Sequence, residues 1–254
     1  MRKRIVAIAD MHCGAETGLT PPDWQCGGAL GKVQLAHFDW YRARVPKNAD
    51  AMLVLGDAID GRQDRNGSVE QITTNRKRQV AIAQAVIMAA APRSVVMVYG
   101  TGYHTGDRED WEDILAEGLR SQGTPVEISA HPVVNVSGCR FDLKHKVGGS
   151  QSPHGRHTAI ARERLWNVLW AQRGERHMAD VVLRAHVHYF QFAGDAMGIG
   201  MTMPALQALG SRYGSRECSG TVDFGFLQFD VTGPGVPDWQ AHIMPICASK
   251  ELRV

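Results

Sequence analysis

Five short stretches of the 254-residue sequence put carboxylates and imidazoles where apolar runs give way to loops. Asp10-Met11-His12 follows the run Ile5–Ala9. Gly56-Asp57-Ala58-Ile59-Asp60 follows Ala51–Leu55, and Gly100-Thr101-Gly102-Tyr103-His104 follows Ser94–Tyr99. His145 ends the run Arg140–His145, and His186-Val187-His188 follows Val181–Ala185. Carboxylate oxygens and imidazole nitrogens are ligands for divalent cations, and one carboxylate can bridge two ions. Residues i and i+2 of an extended chain point the same way. Asp-x-His and His-x-His are therefore each expected to aim two side chains into one cleft.

The elements that must position these residues are legible from apolar patterning. Ile5–Ala9, Ala51–Leu55 and Ser94–Tyr99 read as buried strands. Helical spacing follows over Lys32–Arg44 (Val33, Leu35, Phe38 and Trp40 near one side), Thr74–Ala91 and Arg108–Ser121 (Trp111, Ile114, Leu115 and Leu119 at core spacing). Pro92 marks one helix end. Strand, loop and helix repeated in this way predict βαβ units and a parallel sheet, whose ligands sit beyond the carboxyl ends of the strands. Cys13–Gly31 reads as a long loop. Val133–Val136 and Arg140–His145 read as strands around Ser137-Gly138. Thr158–Arg173 reads as a helix with Ala161, Leu165, Val168 and Leu169 as its apolar stripe, and Val181–Ala185 as a buried strand. Phe224–Val231 and Trp239–Ile246 read as an antiparallel hairpin completing a second sheet. No internal repeat or linker stands out, so residues 1–254 are expected to form one domain.

The order Asp-x-His, Gly-Asp-x-x-Asp, a glycine-containing loop with His, a lone His, then His-x-His resembles the calcineurin-like metallophosphoesterase superfamily. The motifs span positions 10 to 188, and the Cys13–Pro22 stretch with the Gly-Thr-x-x-His loop resembles members encoded by bacteriophages and prophages. The resemblance implies an α/β fold, a β-sandwich of two mixed sheets flanked by helices in four αββα layers. It implies two divalent ions: Asp10, His12 and His188 on the first, Asp57 bridging, His145 and His186 on the second. A hydroxide held between them would attack phosphorus in line. Mn is the first expectation, with Fe, Zn and Ni open, because such donor sets discriminate weakly.

The sequence departs from the family pattern. The family's third-strand motif carries Asn before His, the Asn on the second ion and the His protonating the leaving group. Here Gly100–Asp107 has no Asn. Thr101 is a weak ligand, and His104 either keeps the acid role, the reading favoured here, or moves onto a metal. The basic residue after Gly-Asp-x-x-Asp is shifted by one, to Arg62. Ala185 replaces the glycine that usually precedes His-x-His. Asp60 reads as structural, orienting a ligand. Lys146, Arg156 and His157, on the basic stretch from Lys144 to His157, are candidates to hold substrate phosphates, against a plain solvated loop. Cys13 reads as a buried thiol. His37, His177 and His242 lie outside the pattern. Trp24, Trp40 and Trp111 are weighed as base-stacking residues against ordinary packing, which is preferred. Arg76-Lys77-Arg78 reads as a solvated face.

Bulk properties narrow the class. The formal net charge is +2, with 28 Lys and Arg against 26 Asp and Glu. That balance gives no bulk argument for nucleic acid. Five cysteines (13, 26, 139, 218, 247) form no Cys-x-x-Cys pair, which argues against a disulfide framework and suits a reducing compartment. No stretch approaches the roughly 20 apolar residues of a membrane span, and the run after Arg2-Lys3-Arg4 is shorter than a secretion signal's core. A cytoplasmic location is expected, in a bacterial or phage-infected cell. The function expected is metal-dependent hydrolysis of phosphodiesters in nucleic acid or nucleotides. A phosphomonoesterase or protein phosphatase of the same fold, and a non-catalytic metal-binding scaffold, are the alternatives.

Overall fold

The structure is a computed structural model that describes residues 1–64, 67–106, 110–150, 152–208 and 220–245. Two mixed sheets lie face to face with helices on their outer sides. In chain order, β1 (Lys3–Ile8), α1 (Gly28–Arg44), β2 (Ala51–Val54), α2 (Arg76–Met88), β3 (Val95–Val98), the single turn α3 (Gly102–Thr105), α4 (Trp111–Ser121) and β4 (Val126–Ser129) build the first half. Strands β1 to β4 are parallel neighbours. The second half adds β5 (Val133–Val136), β6 (Cys139–Lys146), α5 (Gly155–Gln172), β7 (Val181–Ala185), β8 (Gln191–Asp195), β9 (Gly198–Thr202), β10 (Gly225–Val231) and β11 (Asp238–Ile243). The sheet orders are β11-β10-β1-β2-β3-β4 and β5-β6-β7-β9-β8. No helix is long and apolar enough to cross a membrane among the described residues.

Side-chain alternation along the strands separates two cores. Ile5, Ala7, Leu53 and Phe229 from the first sheet meet Phe141, Leu143, Leu183 and Met201 from the second. Val6, Ile8, Met52 and Val54 face the other way and meet Phe38, Tyr41, Ile82, Val86 and Leu115 from α1, α2 and α4. Burying such a branched or aromatic side chain stabilises the fold by roughly 1.5–3 kcal/mol.

Three expectations are corrected. The C-terminal hairpin β10–β11 completes the first sheet, not the second, because β10 runs antiparallel beside β1. Ile246, its expected end, lies outside the described residues, as do Arg108 of the expected α4 start, Cys218 and Cys247. The second sheet is completed by β8 and β9, which sequence patterning does not reveal: Gly-Ile-Gly-Met-Thr of β9 is buried throughout and carries no alternation. On α5 the buried residues are Ala159, Ile160, Arg164 and Asn167, whereas Leu165 is 58% and Leu169 39% exposed. Asn167 is satisfied inside, its Oδ1 accepting from the Ala179 amide at 2.9 Å, and Arg164 reaches outward to the exposed Asp195 at 3.1 Å. On α1 the inward stripe is Gln34, Phe38 and Tyr41, leaving Val33 and Leu35 exposed.

Candidate metal centre

The loops at the carboxyl ends of β1 and β2 are zipped together by backbone bonds, and the loop after β3 packs against them. The Asp10 amide donates to the Gly56 carbonyl at 3.1 Å, His12 to Asp57 at 3.0 Å and Cys13 to Ala58 at 3.1 Å. Two glycines permit this approach. Gly56 has φ +80°, and a Cβ there would lie 2.7 Å from both the Gly100 Cα and His145 Nδ1. A Cβ at Gly100 would collide with the Asp57 carboxylate and amide.

Strand geometry does not aim the Asp-x-His and His-x-His pairs, contrary to expectation. Asp10 (φ +48°), His12 (φ +43°), His186 (φ +74°) and His188 (φ +55°) all occupy the left-handed region, as does Asp57 (φ +49°). Non-glycine residues seldom adopt it, and such strained backbone concentrates at functional sites. Alternating left-handed residues curl each loop so that both polar side chains turn inward while the residue between is freed: Met11 packs into the helix-side core.

The result is two groups whose ligand atoms lie within 4.8 Å of one another: Asp10, His12 and His188, and Asp57, His145 and His186. His12 and His188 bring their Nε2 atoms to 3.3 Å, and Asp10 Oδ1 lies 3.4 Å from His188 Nε2. In the second group His145 Nε2 faces Asp57 Oδ2 at 3.1 Å. All but His186 and His188 are buried.

Partners on the far side of the rings fix the tautomers. His145 Nδ1 donates to the Leu55 carbonyl at 2.6 Å, so the neutral ring presents a bare lone pair at Nε2. His12 Nδ1 donates to Asp60 Oδ1 at 3.1 Å, which leaves its Nε2 bare too. A lone pair against a carboxylate, and two ring nitrogens against each other, repel unless a proton or cation sits between them. Asp10 Oδ1 and His145 Nε2 are buried without a hydrogen-bond partner. These orphaned atoms, converging with imidazole and carboxylate donors, fit divalent cations.

The electrostatics follow from the same contacts. Burial pulls His145 down, but the hydrogen bond that its protonated ring donates to Asp57 and the charges of Asp10 and Asp57 outweigh it and raise it to about 9. Burial likewise lowers His12, and Asp60, Asp57 and Asp10 together raise it. Burial raises Asp57 and Asp10; His145 for the one and His188 for the other hold them below the usual carboxylate range. The metal-free cleft thus holds protons where a cation would go.

His12, Asp60 and His104 form a third close group. Its donors are already committed: Asp60 Oδ1 takes His12 Nδ1, Oδ2 takes Gln71 at 2.8 Å, and His104 Nδ1 donates to the Asp60 carbonyl at 2.9 Å. It is a brace rather than a cage. His104 keeps Nε2 free beside the cleft, and burial followed by the charge of His12 lowers its pKa. Thr101 spends its amide (2.7 Å) and hydroxyl (3.1 Å) on Asp57 Oδ1, so it orients that carboxylate. An open cavity of about 290 Å³ covers the site, walled by Thr17, Gln63, Val69, Glu70, Gln71 and Gln207.

None of the three candidate phosphate-holding residues is among those lining this cavity. Arg156 donates to the Thr221 hydroxyl at 2.7 Å and stacks 4.1 Å over Tyr189. His157 Nδ1 donates to the Phe192 carbonyl at 3.3 Å. Lys146 is exposed at the end of β6. Cys13 is buried in the core with its thiol pushed up by burial, then by the Asp60 charge. Sequence reading missed Glu112. It is fully buried on α4, accepting from the Ala58 amide at 3.0 Å and the Gly100 amide at 2.7 Å, and so ties together the loops that carry Asp57 and Thr101. Its signal was a carboxylate in register with the apolar stripe of Leu115, Ala116 and Leu119. Burial raises it to about 8, although both oxygens face N–H donors.

The class defined by this fold and cleft is an α/β sandwich with a paired Asp/His metal-ligand centre at its strand ends. Among solved structures, the chain is similar to Vps29 of Chaetomium thermophilum (12% identity, TM-score 0.45, covering 95% of this chain and 96% of that one). It is also similar to an archaeal phosphodiesterase (12%, TM-score 0.48, 95% and 99%) and to a predicted phosphoesterase of Streptococcus pneumoniae (12%, TM-score 0.40, 95% and 99%). No family model matches the chain, and no curated protein does.

Proposed function

We propose that the chain is a metal-dependent phosphoesterase of the calcineurin-like kind, a hydrolase that cleaves phosphodiesters of nucleic acid or nucleotides in the cytoplasm with two divalent cations, Mn first. The observation that carries this reading is the convergence of two ligand groups holding orphaned buried atoms, with five of the six residues in left-handed backbone. Bound cations would supply a hydroxide nucleophile near neutral pH and neutralise charge developing on phosphate oxygens. The protein's own parts are then assigned. Asp10, His12 and His188 hold one ion, and His145 and His186 the other. Asp57 serves both, held in place by Thr101. Asp60 orients His12. His104, anchored through Nδ1, turns Nε2 toward the cleft and in its protonated form gives a proton to the leaving oxygen. Gln207, in the wall of the cavity, offers an amide donor to phosphate oxygens, while Gln63 and Gln71 spend theirs on Asp60 and Gly61.

The test compares 4-nitrophenyl phosphate with bis(4-nitrophenyl) phosphate on Mn-loaded protein, followed by single- and double-stranded DNA and RNA. Preference for the bis-ester supports the diesterase reading. Preference for the mono-ester moves the protein to the monoesterase or protein phosphatase class. Stoichiometric metal with every ester intact makes it a scaffold.

A further inference from the structure

The second sheet leaves a crevice on its outer side. Helix α5 packs over β7, β8 and β9. Beside it, the face of β6 opens into a cavity of about 310 Å³ lined by Asp142, Lys144, Trp166, Trp170, Arg176 and Arg184. Trp166 is 50% and Trp170 37% exposed, far more than Trp40 at 8%. They lie one helical turn apart, so their rings share one wall. Indole rings facing solvent in a crevice offer flat apolar surface for stacking.

The charges around them favour one kind of occupant. The acids of the crevice are neutralised within it: Asp142 pairs with Arg184 at 2.7 Å and bonds His131 at 2.8 Å, and Glu163 pairs with the same Arg184 at 2.8 Å. Lys144 lines the crevice and is exposed, Lys146 and Arg162 are exposed further along β6 and α5, and Arg173 lies 5.6 Å from the Trp170 ring. A positive rim beside stacked aromatic rings suits a polyanion with flat apolar groups. A membrane would need a protruding apolar surface, not a recess with buried ion pairs. The crevice and the metal centre share a strand: Asp142 and Lys144 lie on β6, which carries His145 near its carboxyl end, and Asp142 is three residues before His145, about 10 Å along an extended chain.

We propose that this crevice is a binding track for single-stranded nucleic acid, with bases stacking on Trp166 and Trp170 and phosphates following Lys144 and Lys146 toward the cleft. The track rests on the phosphodiesterase reading of the metal centre and names its substrate as an unpaired strand.

The experiment measures fluorescence anisotropy of a labelled oligothymidylate of about ten nucleotides on full-length protein in chelator, where no turnover occurs. Binding is expected to quench tryptophan fluorescence and weaken as salt rises. Trp166→Ala/Trp170→Ala is expected to lower affinity at least about tenfold. Lys144→Glu, on a different element, is expected to lower it by a similar factor. With Mn, the ratio of kcat/KM for the oligonucleotide to that for bis(4-nitrophenyl) phosphate is expected to fall in both variants. Equal affinity in wild type and both variants overturns the track, as does absence of binding by the wild type. So does conversion of a dimer to a monomer by the tryptophan variant with oligonucleotide affinity intact, which would make the face a self-interface. Failure of the metal-centre reading shows separately, as an intact bis(4-nitrophenyl) phosphate despite oligonucleotide binding.

Discussion

Asp60→Asn separates orientation of a metal ligand from ligation itself. Asp60 is 3% exposed and accepts from His12 Nδ1 at 3.1 Å, Gln63 Nε2 at 3.0 Å and Gln71 Nε2 at 2.8 Å. Asparagine fills the same volume but turns one acceptor into a donor facing donors. At least one charge-assisted bond is lost, worth about 1.5–3 kcal/mol. At about 2–4 °C per kcal/mol for a chain of this size, the metal-free Tm should fall by about 3–12 °C. Loss of the group that orients a ligating imidazole should weaken metal binding about 10- to 100-fold. The pH dependence carries a further signature. Burial lowers His12, and Asp60 is the leading cause that raises it. A protonated His12 excludes the cation, so wild-type affinity climbs until the pH has passed His12's raised value. In Asp60→Asn that value falls, and the pH midpoint of metal binding should move down even as the plateau affinity drops. The sign for stability agrees. The raised His12 stabilises the metal-free fold below its unfolded pKa and loses that contribution as pH rises through the folded value. The variant's stability deficit should therefore shrink toward alkaline pH. Calorimetric Mn titrations from pH 6 to 9, with thermal melts in chelator, measure both. Unchanged plateau affinity, or a midpoint moving to higher pH, would refute the assignment of Asp60 as the brace of His12.

Further outcomes follow from the same geometry. Gly100→Ala should destabilise by at least about 1–3 kcal/mol, because the new methyl collides with Asp57; chemical denaturation together with metal content checks it. Thr101→Val removes the hydroxyl on Asp57 but keeps the amide bond, so Mn affinity should drop only severalfold, read by the same titration. Glu112→Ala strips acceptors from the Ala58 and Gly100 amides and should cost about 2–4 kcal/mol in a urea melt, with weakened metal binding. Asp142→Asn should unfold the protein more readily at neutral pH, because buried Arg184 loses one of its two carboxylate partners and keeps only Glu163, at a cost of about 1.5–3 kcal/mol. His131 and Arg184 overcome burial and hold the Asp142 carboxyl well below its usual range. That contribution is present above the unfolded carboxylate value and lost as the pH falls below it, so the variant's melting curves should flatten on the acid side.

The strands that bear the site were legible because they are buried on both faces. Ile5–Ala9 is a continuous apolar run and Val181–Ala185 is broken only by Arg184, and the polar residues at their ends stand out against them. The backbone that turns those residues inward was not legible. Left-handed φ at Asp10, His12, His186 and His188 has no glycine to mark it and is imposed by the zipped loops around it. The helices misled where inward faces are polar. Asn167 of α5 lies inside because Asp142 and the Ala179 amide satisfy it, Arg164 because it pairs with Asp195, and the apolar stripe read as core includes Leu165 and Leu169, which face solvent. Glu112 was hidden for the opposite reason: its partners are backbone amides of distant loops, which no local pattern announces.

The central claim, that the Asp/His cleft is a two-cation centre hydrolysing phosphodiesters, is tested most directly by titrating chelator-stripped protein with Mn while following bis(4-nitrophenyl) phosphate hydrolysis. The account predicts no turnover without metal, a rate that climbs to a plateau at two equivalents per chain, and no turnover from folded Asp57→Asn at any Mn level. Hydrolysis that survives in that variant, or two equivalents bound by the wild type with the ester left intact, would contradict it.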